Sequence, residues 1–216
     1  MPSRSMKSSA LIWESLARRH REVAKTDELR ALALRLGKEP RNAIDHLVRG
    51  GYLTPLFKGV YHVSHPEEMR LGVPRHSHLE LFALAAEAAG LGPWYFGLET
   101  ALRLDGLTAE FRREEAVING RRLRERGVDL AAHRFVLHRW TPDLLAFGVR
   151  REGSLRISDP AKTVLDLAYR DYWSARKGRA PVGEWKTLVD RVHLAALRRY
   201  LKRFPRYVRE MVMPWI

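Results

Sequence analysis

Between Thr26 and Ser64 the hydrophobic pattern changes period, and that change constrains the fold more than any other feature of the chain. Thr26 suits an N-cap, and Asp27 and Glu28 put negative charge in a first turn, where the helix dipole favours it. Leu29, Leu32, Ala33 and Leu36 recur at helical spacing, Gly37 supplies a stop, and Pro40 stands where a second helix begins. The second helix has its own apolar face in Ala43, Ile44, Leu47 and Val48, and Gly50-Gly51 ends it. Alternation then takes over: Tyr52 to Leu56, a turn at Phe57-Lys58-Gly59, and Val60 to Ser64 read as a hairpin. Two short helices joined by a Gly-containing turn, then a basic-tipped hairpin, form the pattern of a winged helix-turn-helix. Ala10 to Arg21 reads as a leading helix with Leu11, Ile12, Leu16 and Ala17 inward, and Val23 to Lys25 as a short third strand.

Charge points the same way. The chain carries 39 Lys and Arg against 25 Asp and Glu, a formal charge of +14, which concentrates a polyanion without selecting a sequence. Residues 1–75 hold 14 basic and 8 acidic side chains, 76–178 hold 16 and 14, and 179–216 hold 9 and 3, so the excess lies at the two ends. These segments are the expected organisation: a winged helix over 1–75, an α+β effector domain over 76–178, and a basic helical extension over 179–216. In the second, His65-Pro66 to Pro74 reads as the linker leading in, Ser77 to Ala89 as a helix, and Trp94-Tyr95-Phe96 as a new segment after Pro93. Leu98 to Leu104 reads as a short helix, and Ala116 to Asn119, Arg134 to Trp140 and Gly153 to Ile157 as strands. Ser158-Asp159-Pro160 caps a helix through Val164, Leu165, Leu167 and Ala168.

On the second helix of the motif the apolar residues turn Arg41, Asn42, Asp45, His46 and Arg49 outward. Arg makes two hydrogen bonds to guanine and Asn two to adenine, so Arg41 and Asn42 are the candidate base contacts. Lys38 and Arg49 are placed for phosphates, and Lys58 at the hairpin tip for the adjacent backbone or minor groove. Near the C-terminus, Leu194, Leu197 and Leu201 form one stripe. Arg198, Arg199, Lys202, Arg203, Arg206 and Arg209 beside and after it make a second basic surface, or the solvated face of a helix packed on the second domain.

The run Leu47-Val48-Arg49-Gly50-Gly51-Tyr52-Leu53, followed by Lys58-Gly59-Val60-Tyr61, resembles the winged helix of AbiEi-type antitoxins, the abortive-infection regulators of type IV toxin–antitoxin systems. Gly97 to Leu107 resembles that family's short helix ending in a Gly-Leu pair, and Ile157-Ser158-Asp159-Pro160-Ala161-Lys162-Thr163-Val164-Leu165-Asp166-Leu167-Ala168 its late strand-to-helix segment. The similarity runs from about Val23 to Tyr169. It implies a transcriptional repressor that binds repeats in its own promoter through the N-terminal domain, while the C-terminal domain counteracts a nucleotidyltransferase toxin. Recognition-helix residues are individual to each member, so no operator sequence is implied.

Other chemistries fit the residues less well. A nucleotidyltransferase needs Gly-Ser on a turn and two carboxylates one residue apart on a strand; Gly153-Ser154 and Asp166 imitate this, but Ala168 fills the second position. A metal-dependent nuclease built from Asp143 and Glu184-Trp185-Lys186 would need Glu184 on a strand, whereas it opens a helix by pattern. His62, His65, His76 and His78 lack helical i,i+4 ligand spacing and the chain has no cysteine, so no metal and no cofactor is expected. Trp94, Tyr95, Phe96 and Trp140 could line an effector pocket, but aromatics so spaced are more often core. The absence of cysteine fits a reducing cytoplasm, and neither a membrane-length apolar run nor an apolar stretch in the Met1–Lys7 start appears. The expectation is a non-enzymatic cytoplasmic protein with double-stranded DNA as partner, a cognate toxin as a second, and a monomer or DNA-induced dimer as its state. The alternatives are a protein-interaction module with DNA binding secondary, and a basic RNA-binding or nuclease-associated protein.

Overall fold

The computed structural model describes residues 4–109, 113–121, 127–180 and 182–216, with side chains from residue 10, so the first residues of the Met1–Lys7 start lie outside the described residues. The fold is mixed α+β with one three-stranded and one six-stranded sheet. It forms two compact units, Met1–Leu91 with Leu130–Ala132, and Gly92–Asp129 with His133–Ile216.

In the first unit, α1 (Arg4–Arg18) is followed by β1 (Val23–Lys25), α2 (Thr26–Arg35), α3 (Pro40–Arg49), β2 (Leu53–Phe57) and β3 (Val60–Val63). The sheet is antiparallel with order β1-β3-β2. One core joins them: Ile12 and Leu16 of α1 meet Leu29 and Ala33 of α2, Ala43, Ile44 and Leu47 of α3, and Leu53 and Val63 of the sheet. Leu11 does not join it; it is 48% exposed, because Ile12 and Leu16 already define the inward stripe. Thr26 is the first helical residue of α2 rather than its cap. Lys25 holds the cap position, and the Thr26 amide donates to the Gly59 carbonyl at 2.9 Å, tying the hairpin turn to the start of α2.

The segment expected as a linker contains a helix, α4 (Pro66–Leu71). Its ends explain it: His65 and Glu68 form a reciprocal capping box, Pro66 sits at N1, and Gly72 closes the helix at φ 66°, a left-handed conformation that costs glycine least. Next, α5 (His78–Ala88) begins with a second capping box, Ser77 with Glu80, and packs on the three-stranded sheet, Phe82 meeting Phe57 edge-on at 5.3 Å. That packing is why the first unit extends to Leu91 rather than ending at residue 75.

The second unit runs β4 (Trp94–Phe96), α6 (Leu98–Leu104), β5 (Glu114–Asn119), β6 (Gly127–Leu130, whose last residue is counted in the first unit), β7 (His133–Arg139), α7 (Pro142–Leu145), β8 (Val149–Glu152) and β9 (Leu155–Ser158). It continues through α8 (Pro160–Arg176), α9 (Trp185–Leu188), α10 (Leu194–Leu201) and α11 (Arg206–Val212). The sheet order is β6-β7-β5-β4-β9-β8. β5 pairs parallel with β7 and β4 parallel with β9, while β4–β5 and β8–β9 are antiparallel. Every residue of α8 from Ala161 to Tyr169 is buried, and α6, α10 and α11 pack against this helix. Leu197, Leu201, Phe204, Val208 and Val212 lie in the same core, so the segment expected as a separate extension from 179 completes the second unit.

Candidate nucleic-acid interface

The candidate surface rests on how α3 is started and turned. Glu39 is its N-cap: the carboxylate accepts from the Arg41 amide at 3.1 Å and the Asn42 amide at 2.7 Å, and Pro40 occupies N1, where no amide is needed. These bonds hold the Glu39 carboxyl below the usual carboxylate range. They also occupy two of the amides with which a helix N-terminus could meet a phosphate, so anion contacts at this end fall to side chains. Glu39 was not singled out in the sequence because Ser, Thr, Asp and Asn are the usual caps.

With Ala43, Ile44 and Leu47 committed to the core, the helical period turns Arg41, Asn42, Asp45 and Arg49 to solvent. Lys38 and His46 are half-buried at the margins of that face. Arg49 Nε donates to the Asp45 carbonyl at 3.3 Å, which aligns the stem of Arg49 along the helix. Lys58 is exposed in the tight turn between β2 and β3, where Gly59 takes φ 76°. Tyr52 is half-buried against Trp13, with ring centroids 5.1 Å apart, and Trp13 Nε1 donates to the Ser64 carbonyl at 2.7 Å, fixing α1 to the end of β3.

The histidines have structural partners. His62 is buried, with Nδ1 3.0 Å from the Glu22 carbonyl and Nε2 3.1 Å from Glu68. His76 Nε2 lies 3.3 Å from Glu22, and His65 caps α4. The basic residues near the C-terminus, Arg198, Arg199, Lys202, Arg203, Arg206 and Arg209, are all exposed on or beside α10 and α11, while Leu194 is 41% exposed and leaves the stripe to Leu197 and Leu201. Arg206 is paired with Glu210 at 2.6 Å, and the Arg203 guanidinium lies 4.2 Å from the Phe147 ring centroid.

The aromatic pocket candidates are all buried: Tyr95 and Trp140 belong to the core of the second unit, while Trp94 and Phe96 pack edge to face, 5.2 Å apart. Tyr95 and Trp140 serve a buried polar cluster on α8. Lys162 and Asp166 are both fully buried and paired, Trp140 Nε1 donates to Asp166 at 2.8 Å, and the Tyr95 hydroxyl donates to its other oxygen at 2.8 Å. The Lys162 ammonium sits about 5 Å from the Tyr95, Phe147 and Phe204 ring centroids. Burial pushes Lys162 down and Asp166 up, each against the pull of the other. Asp166 is therefore a core ion on a helix, enclosed by its partners, which removes it as an imitation of a nucleotidyltransferase carboxylate. Asp143 lies in the first turn of α7 and Glu184 heads α9, so neither stands on a strand as the nuclease arrangement requires.

Among the described residues no helix is long and apolar enough to cross a membrane. No family model matches the sequence. No curated protein matches it either. Among solved structures, the crystal structure of the RV2827C protein from Mycobacterium tuberculosis is similar, with a TM-score of 0.61 and 19% identity, covering 92% of this chain and 72% of that one. At this identity the likeness is one of fold alone.

Proposed function

We propose that the first unit is a winged helix-turn-helix that binds double-stranded DNA, with α3 as its recognition helix and the β2–β3 turn as its wing. The observation that carries this reading is the two-sidedness of α3: Ala43, Ile44 and Leu47 are buried on one side, and Arg41, Asn42, Asp45 and Arg49 stand exposed on the other. A groove-reading helix needs that division, with a side locked to the scaffold and a side of side chains able to reach base edges. Arg41 and Asn42 near its start read bases, Lys38 and Arg49 hold phosphates, and Lys58 reaches the neighbouring backbone.

The role that fits is an AbiEi-like antitoxin acting in the cytoplasm: a non-enzymatic repressor of its own operon, bound to promoter repeats as a monomer or a DNA-induced dimer. The second unit then counteracts a nucleotidyltransferase toxin. The sequence resemblance over Leu47 to Tyr61 and Ile157 to Ala168 supports it. Selection from a pool of random duplexes by the full chain tests the DNA reading. Recovery of one recurrent motif is expected, and a pool that stays random after repeated rounds contradicts it. Co-production with a nucleotidyltransferase encoded beside it tests the second part, with rescue of growth as the expected result.

A further inference from the structure

The second unit carries a cleft of about 870 Å³ that the winged-helix reading does not use. It lies where the parallel strands β5 and β7 end, between Asn119, Arg139 and the second half of α8. The carboxyl ends of parallel strands are where open sheets leave room for ligands. Asn119 braces this edge: its Nδ2 donates to the His138 carbonyl at 3.1 Å and its Oδ1 accepts from the Arg121 amide at 2.9 Å.

The lining is one-sided in charge. Arg121, Arg139, Arg170, Lys177 and Arg179 line the cleft, and no carboxylate does among the described residues. Four of these five lie in residues 76–178, which are nearly charge-balanced at 16 basic to 14 acidic side chains, so this concentration is local and not a by-product of a basic chain. Arg170 is bound by Glu99 through one amino group and its Nε lies 3.8 Å from Asp171, while its Nη2 is buried with no hydrogen-bond partner. His138 is held neutral beside it, its pKa lowered to about 4 by burial and by Arg170.

The wall also offers a ring. Trp173 is 39% exposed, whereas Tyr169 and Trp140 beside it are buried. T-shaped contacts to Tyr172 at 5.7 Å and Tyr207 at 6.2 Å fix the Trp173 plane. The Arg176 guanidinium lies over the same ring, 5.7 Å from its centroid, so the indole is braced and only partly open. A rigid, partly exposed indole among dispersed cations is the arrangement that takes unpaired bases and their phosphates. A duplex keeps its bases stacked inward and has no face to give Trp173. The cations are spread from the β5 end across β7 to the segment after α8 rather than gathered on a glycine-rich loop, which suits several successive phosphates better than one mononucleotide.

We infer that this cleft binds a short single-stranded stretch of polynucleotide, phosphates along the cations and a base against Trp173. The test uses the full-length protein and fluorescently labelled single-stranded octamers of uridine and of thymidine, read by anisotropy. Trp173→Ala is expected to weaken binding about tenfold, with Trp173→Phe restoring most of it. The Arg139→Ala/Arg179→Ala pair should weaken binding and flatten its salt dependence. The double variant Arg41→Ala/Lys58→Ala, on the first unit, should leave octamer binding unchanged while impairing duplex binding, so this inference and the DNA reading fail separately. A preference for either octamer supports the site, and a deoxyuridine octamer then separates the sugar from the base methyl group. Three results overturn it: octamer binding lost through Arg41→Ala/Lys58→Ala and kept by the cleft variants, ATP competing as well as an octamer, or a polyglutamate peptide competing equally.

Discussion

In the proposed DNA-reading role, Arg41 and Lys58 divide the work into two measurable kinds. If the exposed side of α3 faces the groove as proposed, an arginine there gains affinity only on the right base, so Arg41→Ala should cost about 1–3 kcal/mol on a selected site and little on random duplex. Fluorescence titration against both duplexes checks this, and equal losses on the two would remove Arg41 from the base contacts. In the same proposal Lys58 acts as a point charge near the DNA backbone. Lys58→Ala should weaken every duplex alike and lower the slope of log affinity against log salt by about one, and a loss confined to one sequence would contradict that role. His138 gives a residue-scale prediction about stability. Its pKa falls from 6.5 to about 4 on folding, because burial and Arg170 oppose its charge. Between those values the unfolded chain binds a proton that the folded chain refuses, so stability declines as pH falls from 6.5 to 4, by on the order of 3 kcal/mol. Urea midpoints across that window should slope accordingly, and His138→Gln should flatten the slope.

At the scale of elements, α8 shows how a helix can be amphipathic by pattern and yet carry charge into a core. Lys162 and Asp166 are four residues apart, each fully buried, and each is tolerated only because the other and the Tyr95 and Trp140 donors are present. Lys162→Met should cost about 3–5 kcal/mol in chemical unfolding, since it strands a buried carboxylate. The double variant Lys162→Met/Asp166→Asn should recover part of that, and a double variant as unstable as the single would argue against the ion as the source. The sequence made α8 legible through Asp159, Pro160 and its apolar residues, but gave no sign that Lys162 and Asp166 face inward, because an i,i+4 pair looks identical on a solvated face. Elements with a clear period or punctuation were likewise readable: α3 from Pro40 to Gly50, the β2–β3 hairpin around Gly59, and α5 from Ser77 to Gly90. β6 and β8 were not, because Gly127–Leu130 and Val149–Glu152 are edge strands with no apolar alternation. α4 was missed because its helix signal lies in its caps, His65 with Glu68 and Gly72, inside a segment whose proline and charges resemble a linker. The exposed face of α3 followed from its apolar face, whereas the cleft residues come from β5, β7, α8 and the segment after it, and only the fold brings them together.

For the whole molecule, the charge of +14 is a field and not a function. It raises the rate of encounter with any polyanion and fades as salt rises, while contacts to base edges survive salt better because they release no counterions. The second unit adds its own cationic surfaces, so affinity for DNA at low salt reports on the entire chain, and only the part that outlasts salt reports on α3. The deciding measurement is therefore titration of the full-length protein with its own upstream duplex and with a random duplex across a salt series. The account predicts that upstream binding persists at salt concentrations where random binding has vanished, and that Arg41→Ala removes the difference. Equal affinities and equal, steep salt slopes on both duplexes would contradict it, leaving a basic surface with no sequence to read.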